Sequence, residues 1–126
     1  MKYLVSTSKS VQEAYEALQR AIPNNGFGLQ HTHNIEEKLS NKGVTLGREC
    51  LVLDICQPHI AKEILDIDPS VSAILPCSIS VYEDEGKTNI CVIKPSFVFP
   101  QLNANLKDVM QRVEKTIFKI IDEAAV

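Results

Sequence analysis

Two alternating runs joined by a charged segment constrain this chain more than any other feature. In Pro76-Cys77-Ser78-Ile79-Ser80-Val81-Tyr82, Ile79 and Val81 alternate with Ser78, Ser80 and Tyr82. That is the period of a strand with one buried face. Glu83-Asp84-Glu85-Gly86-Lys87 supplies charge and a glycine for the reversal, and Thr88-Asn89-Ile90-Cys91-Val92-Ile93 is the returning strand. Five connecting residues predict a turn longer than the two-residue kind. The other elements are expected to pack as edges and covers around this hairpin.

The chain has 126 residues, 44% hydrophobic and 23% charged. A length of this order suits one domain, expected over residues 1–126, that buries roughly two thirds of its unfolded surface. No tryptophan is present, and three tyrosines and four phenylalanines leave a mainly aliphatic core. The formal charge is −3 with no basic segment, so no nucleic-acid partner is expected. No run of about twenty apolar residues suggests a membrane span and no secretory leader is recognised, which makes the cytoplasm the expected location. The four cysteines are expected to stay reduced, because three of them lie in apolar strand patterns.

Taken in order, Tyr3–Thr7 reads as a strand and Ser10-Val11-Gln12-Glu13 as the capping box of an amphipathic helix ending at Pro23–Gly26. Phe27–His33 is a second strand, with Phe27, Leu29, His31 and His33 expected on one face. Asn34 opens a helix of two turns closed near Gly43. In the strand Cys50–Cys56, Leu51, Leu53 and Ile55 share one face, and Cys50, Val52, Asp54 and Cys56 the other. Gln57-Pro58-His59 begins the next helix, since proline is favoured at the first helical position. Lys94–Gln101 carries two prolines and is expected to be an ordered flap anchored by Phe97 and Phe99. From about Asn103, apolar residues from Leu106 to Ile121 recur along one face of a long final helix. The pattern predicts an α+β fold: a mixed or mainly antiparallel sheet covered on one face by helices, including the long C-terminal one.

Several short signatures in this order resemble the domain-of-unknown-function 302 family. They are Gly26-Phe27, Lys42-Gly43, Cys56-Gln57-Pro58, Asp68-Pro69, and Leu75-Pro76-Cys77 followed by Ile79-Ser80-Val81-Tyr82. The resemblance runs from about Tyr3 to Glu123 and implies a compact α+β fold, often a homodimer, with no settled family-wide activity. The family pattern often has a small polar residue where Cys56 stands, so the resemblance carries over no catalytic set.

Cys56, His59 and Cys77 are the candidates for chemistry. Thiolates and imidazole bind soft or borderline metals, and a histidine can activate a cysteine nucleophile. Cys56 also precedes a helix amino terminus, whose free amides favour a thiolate. The competing expectation is that both thiols are packed strand ends and that His59 is a surface residue. His31 and His33 could share a ligand, but no third metal ligand is specified and cross-strand contacts are the stronger expectation. Asp54 either serves His59 or simply lies on the less apolar face. Two functions follow. The first is a small binding or regulatory protein, with a small-molecule or metal ligand at the Cys56/His59/Cys77 strand ends beside Phe97 and Phe99. The alternative is a thiol- or sulfur-chemistry enzyme using Cys56 or Cys77 with His59. Neither cofactor nor metal identity is specified.

Overall fold

Alternation in five segments of this chain produces one antiparallel sheet. The computed structural model describes residues 1–126. The strands are β1 (Lys2–Thr7), β2 (Gly28–Asn34), β3 (Cys50–Cys56), β4 (Cys77–Asp84) and β5 (Lys87–Ile93), and their spatial order is β1-β5-β4-β3-β2. Every pairing is antiparallel, so the sheet holds no parallel pair. The β4–β5 hairpin occupies the interior of the sheet, flanked by β1 and β3.

The helices are α1 (Val11–Asn24), α2 (Ile35–Ser40), α3 (Pro58–Ile67), α4 (Pro95–Leu102) and α5 (Lys107–Ala125). Leu53, Ile55, Ile79, Val81 and Ile90 meet Leu18, Ile22, Met110, Val113, Ile117 and Ile121 in one core. Helices α1 and α5 pack against each other and against the sheet. Ser10 accepts from the Glu13 amide at 3.1 Å while Glu13 accepts from the Ser10 amide at 2.8 Å, which completes the expected capping box.

Three local expectations change. The hairpin pairs Asp84 with Lys87, which leaves only Glu85 and Gly86 in the turn, at φ 51° and 77°. Both residues are left-handed, as a turn matched to strand twist requires, and the strands therefore extend into the charged segment. A bulge between Leu29 and His31 shifts the β2–β3 register. Leu29 pairs with Ile55 on the core side, whereas His31 and His33 pair with Asp54 and Val52 on the other side. The four residues expected on one face, Phe27 just before β2 and three within it, are thus divided between two.

The expected flap is helix α4. Pro95 stands at its start, where the missing amide costs nothing, and Pro100 is tolerated because packing offsets the lost bond. Phe99 is 5% exposed and Phe97 43% exposed. Residues two apart share a strand face but point about 200° apart around a helix, so only Phe99 is an anchor. Ser96 donates to Glu114 on α5 at 2.7 Å and ties the short helix down.

Candidate functional site

The cis-prolyl segment Leu75-Pro76 feeds directly into Cys77, the first residue of β4. Across the ladder Cys77 pairs with Ile55, the penultimate residue of β3. One residue later Cys56 hands the chain to α3, whose first turn is closed by the Gln57 side chain accepting from the Ile60 amide at 2.8 Å. Strand ends, α3 and α5 diverge here around a cleft of about 270 Å³. Ten of its 13 lining residues are hydrophobic, with Phe27, Ile60, Ile64 and Val113 as walls and Cys56 and Cys77 beside them. No charged side chain lines it.

Cys56 and Cys77 are therefore brought to one cleft, as the sequence suggested. His59 is not. It is exposed and absent from the lining, because helical periodicity gives the inward positions of α3 to Ile60, Ala61 and Ile64. A second cleft of about 230 Å³ lies beyond Pro76 and Cys77 and is bounded by Val92, Val98 and Phe99. Phe99 thus borders the neighbouring cleft, and Phe97 borders neither. The cleft walls were missed in the sequence because Phe27, Ile64 and Val113 read as ordinary core periodicity.

All four cysteines are free thiols. Cys77 is half-buried by surface, yet burial of the thiol, followed by the charge of Cys56, pushes it up to about 11. Such a group holds its proton at neutral pH and is a poor nucleophile. Burial also raises the Cys50 and Cys91 thiols, against the smaller opposing effects of Arg48 and Lys2.

A polar chain crosses the opposite face of the sheet. His33 Nε2 lies 2.8 Å from Asp54 Oδ2, Ser78 donates to Asp54 Oδ1 at 2.9 Å, and Lys38 Nζ approaches His33 Nδ1 at 2.7 Å. The His31 ring sits edge-on to His33 at 4.4 Å. Burial pushes Asp54 up, but hydrogen bonds from His33 and Ser78 and the charges of His33 and His31 outweigh it and hold the carboxyl below its usual range. Asp54 therefore serves His33 rather than His59. Ser78 as a partner of Asp54 depends on the β3–β4 register, and Lys38 as a partner of His33 on how α2 folds back beside β2, so neither was legible in the sequence. Nowhere do three or more histidine, cysteine or acidic side chains gather to hold a metal ion.

Together, the all-antiparallel five-stranded sheet, its helical layer and the strand-end cleft define an α+β sandwich. The sequence profile described as "Domain of unknown function DUF302" matches residues 3–124, and the chain belongs to that family. It is similar to a crystal structure of an uncharacterized conserved DUF302 protein from Bacillus stearothermophilus, with 29% identity and a TM-score of 0.93. That match covers 98% of this chain and 97% of the other. No curated protein matches the sequence. No helix is long and apolar enough to cross a membrane.

Proposed function

We propose that this protein is a binding or regulatory protein whose ligand occupies the apolar cleft between the β3–β4 strand ends and α3. The composition of the cleft carries the reading: about 270 Å³, with ten hydrophobic residues among 13. That volume lies just below the usual lower limit of about 300 Å³ for ligand pockets, which favours a small compound. A lining without charge favours a neutral, mainly apolar one, oriented by Gln57 and Ser72. Cys56 and Cys77 act here as polarizable wall atoms, and His59 lies outside the contact set.

The thiol-enzyme alternative has less support. The Cys77 thiol is held protonated, and neither cysteine has a histidine hydrogen-bonded to it. The homodimer stays within the proposal, through the face turned away from α1 and α5, where Leu4 and Ile93 are 39% and 52% exposed.

Titration with a small neutral naphthylamine dye, followed by fluorescence, tests the cleft. Saturable binding is expected for the natural protein, and Ala61→Phe, which fills the space while leaving the circular dichroism spectrum unchanged, is expected to remove it. Equal binding by a folded Ala61→Phe variant, or no saturable binding of any small apolar probe, would reject the reading.

A further inference from the structure

From the Lys38–His33–Asp54 chain we infer a proton-operated latch that holds α2 against the sheet when His33 is neutral and lets it go when His33 is protonated. The argument rests on which atoms can donate. Lys38 reaches His33 Nδ1 at 2.7 Å, and an ammonium has only donors, so Nδ1 must supply a lone pair. The ring proton of neutral His33 then sits on Nε2 and is donated to Asp54 Oδ2 at 2.8 Å. Ser78 fixes the other Asp54 oxygen at 2.9 Å, so three strands and one helix hold a single tautomer.

A second proton on His33 can go only to Nδ1. The acceptor for Lys38 then vanishes and two cations face each other at hydrogen-bonding distance, while the bond to Asp54 becomes an ion pair and strengthens. The contact with α2 is the one that must break. His31, edge-on at 4.4 Å, is the other titratable ring beside His33, and Asp54 the only anion bonded to it. Glu36 and Glu37, the acids of α2, form no ion pair with His33.

Helix α2 is suited to release. Its six residues include none that is fully buried, and its attachment rests on the Asn34 cap, partial burial of Ile35, Glu36 and Leu39, and this latch. A helix of six residues has negligible stability by itself.

Backbone hydrogen exchange of residues 35–40, read by NMR and corrected for the intrinsic pH dependence of exchange, tests the latch on the intact chain. Protection in α2 is expected to fall about threefold to tenfold between about pH 7.5 and pH 5.5, while α1 and α5 are unaffected. In His33→Gln, which cannot take up the second proton, α2 protection should be independent of pH over the same range. Nitrogen shifts of His33 should report the Nε2–H tautomer at the higher pH. Uniform protection across pH in the natural protein, an equal fall in a folded His33→Gln variant, or the Nδ1–H tautomer at neutral pH would each overturn the inference. If His33→Gln fails to fold, Lys38→Met is the substitute: its α2 protection should start low and lack the pH-dependent fall, and retention of that fall would overturn the latch.

Discussion

Cys77 and Asp54 occupy facing strands, and their surroundings drive them in opposite directions. The Cys77 thiol is pushed up by burial first and by Cys56 second, to about 11. An unfolded chain releases that proton from about pH 8.5, so between these values the native state holds more protons than the unfolded one. The Cys77 contribution is therefore fully present below about pH 8.5 and is lost as pH rises through about 11, a loss of about 3 kcal/mol. Urea unfolding across this range should show a shallower alkaline decline in Cys77→Ala, and an identical slope would contradict the assignment. Asp54 has the reverse linkage: its lowered carboxyl stabilises the fold above the ordinary carboxylate range, and that contribution disappears as acid protonates it. The sequence placed Asp54 on the correct face of β3, because strict alternation decides that much. It did not identify His33 as its partner, because an inserted residue in β2 decides which histidine reaches across.

The hairpin offers the clearest test among the elements. Glu85 adopts φ 51° and Gly86 φ 77°, a left-handed pair in which only the glycine is free of steric cost. Glu85→Asn, which suits the first position of such a turn, should stabilise the protein by about 0.5–1 kcal/mol, read as a higher urea midpoint with unchanged slope. A lower midpoint would mean that Glu85 makes a compensating interaction. Both strands were legible from alternation, whereas the turn was not, because charged residues at strand ends resemble loop residues until the register is known. Helix α4 was obscured for a related reason. Pro95 and Pro100 argue locally against regular structure, but the burial of Phe99 and the bond from Ser96 to Glu114 on α5 supply what the local sequence lacks. By contrast, α1 was legible almost to the residue and the apolar stripe of α5 along its length, since both stripes run for several turns and α1 carries its own capping box.

For the whole molecule, one face of the sheet carries α1, α5 and the core, while the other carries Leu4, Ile93 and the Lys38–His33–Asp54 chain. The proposed second copy would cover the β1–β5 part of this second face. Sedimentation equilibrium should then give twice the mass of one chain, and Leu4→Glu should return it to the single-chain mass without loss of helical signal. A single-chain mass for the natural protein at high concentration would remove the dimer from the proposal. The cleft is equally a property of the whole fold, because residues as distant as Phe27, Ile64, Cys77 and Val113 reach it from four separate segments. Sequence periodicity by itself determined the strands, the main helices, the α+β class and the delivery of Cys56 to a strand-to-helix junction, since those depend on neighbours within a few residues. Tertiary structure alone decided the strand order, the β2 bulge, the exclusion of His59 and Phe97 from the cleft, and the alignment of Lys38 with His33 and Asp54. Each of those depends on register and on which helix face is turned inward, and both are set by long-range packing.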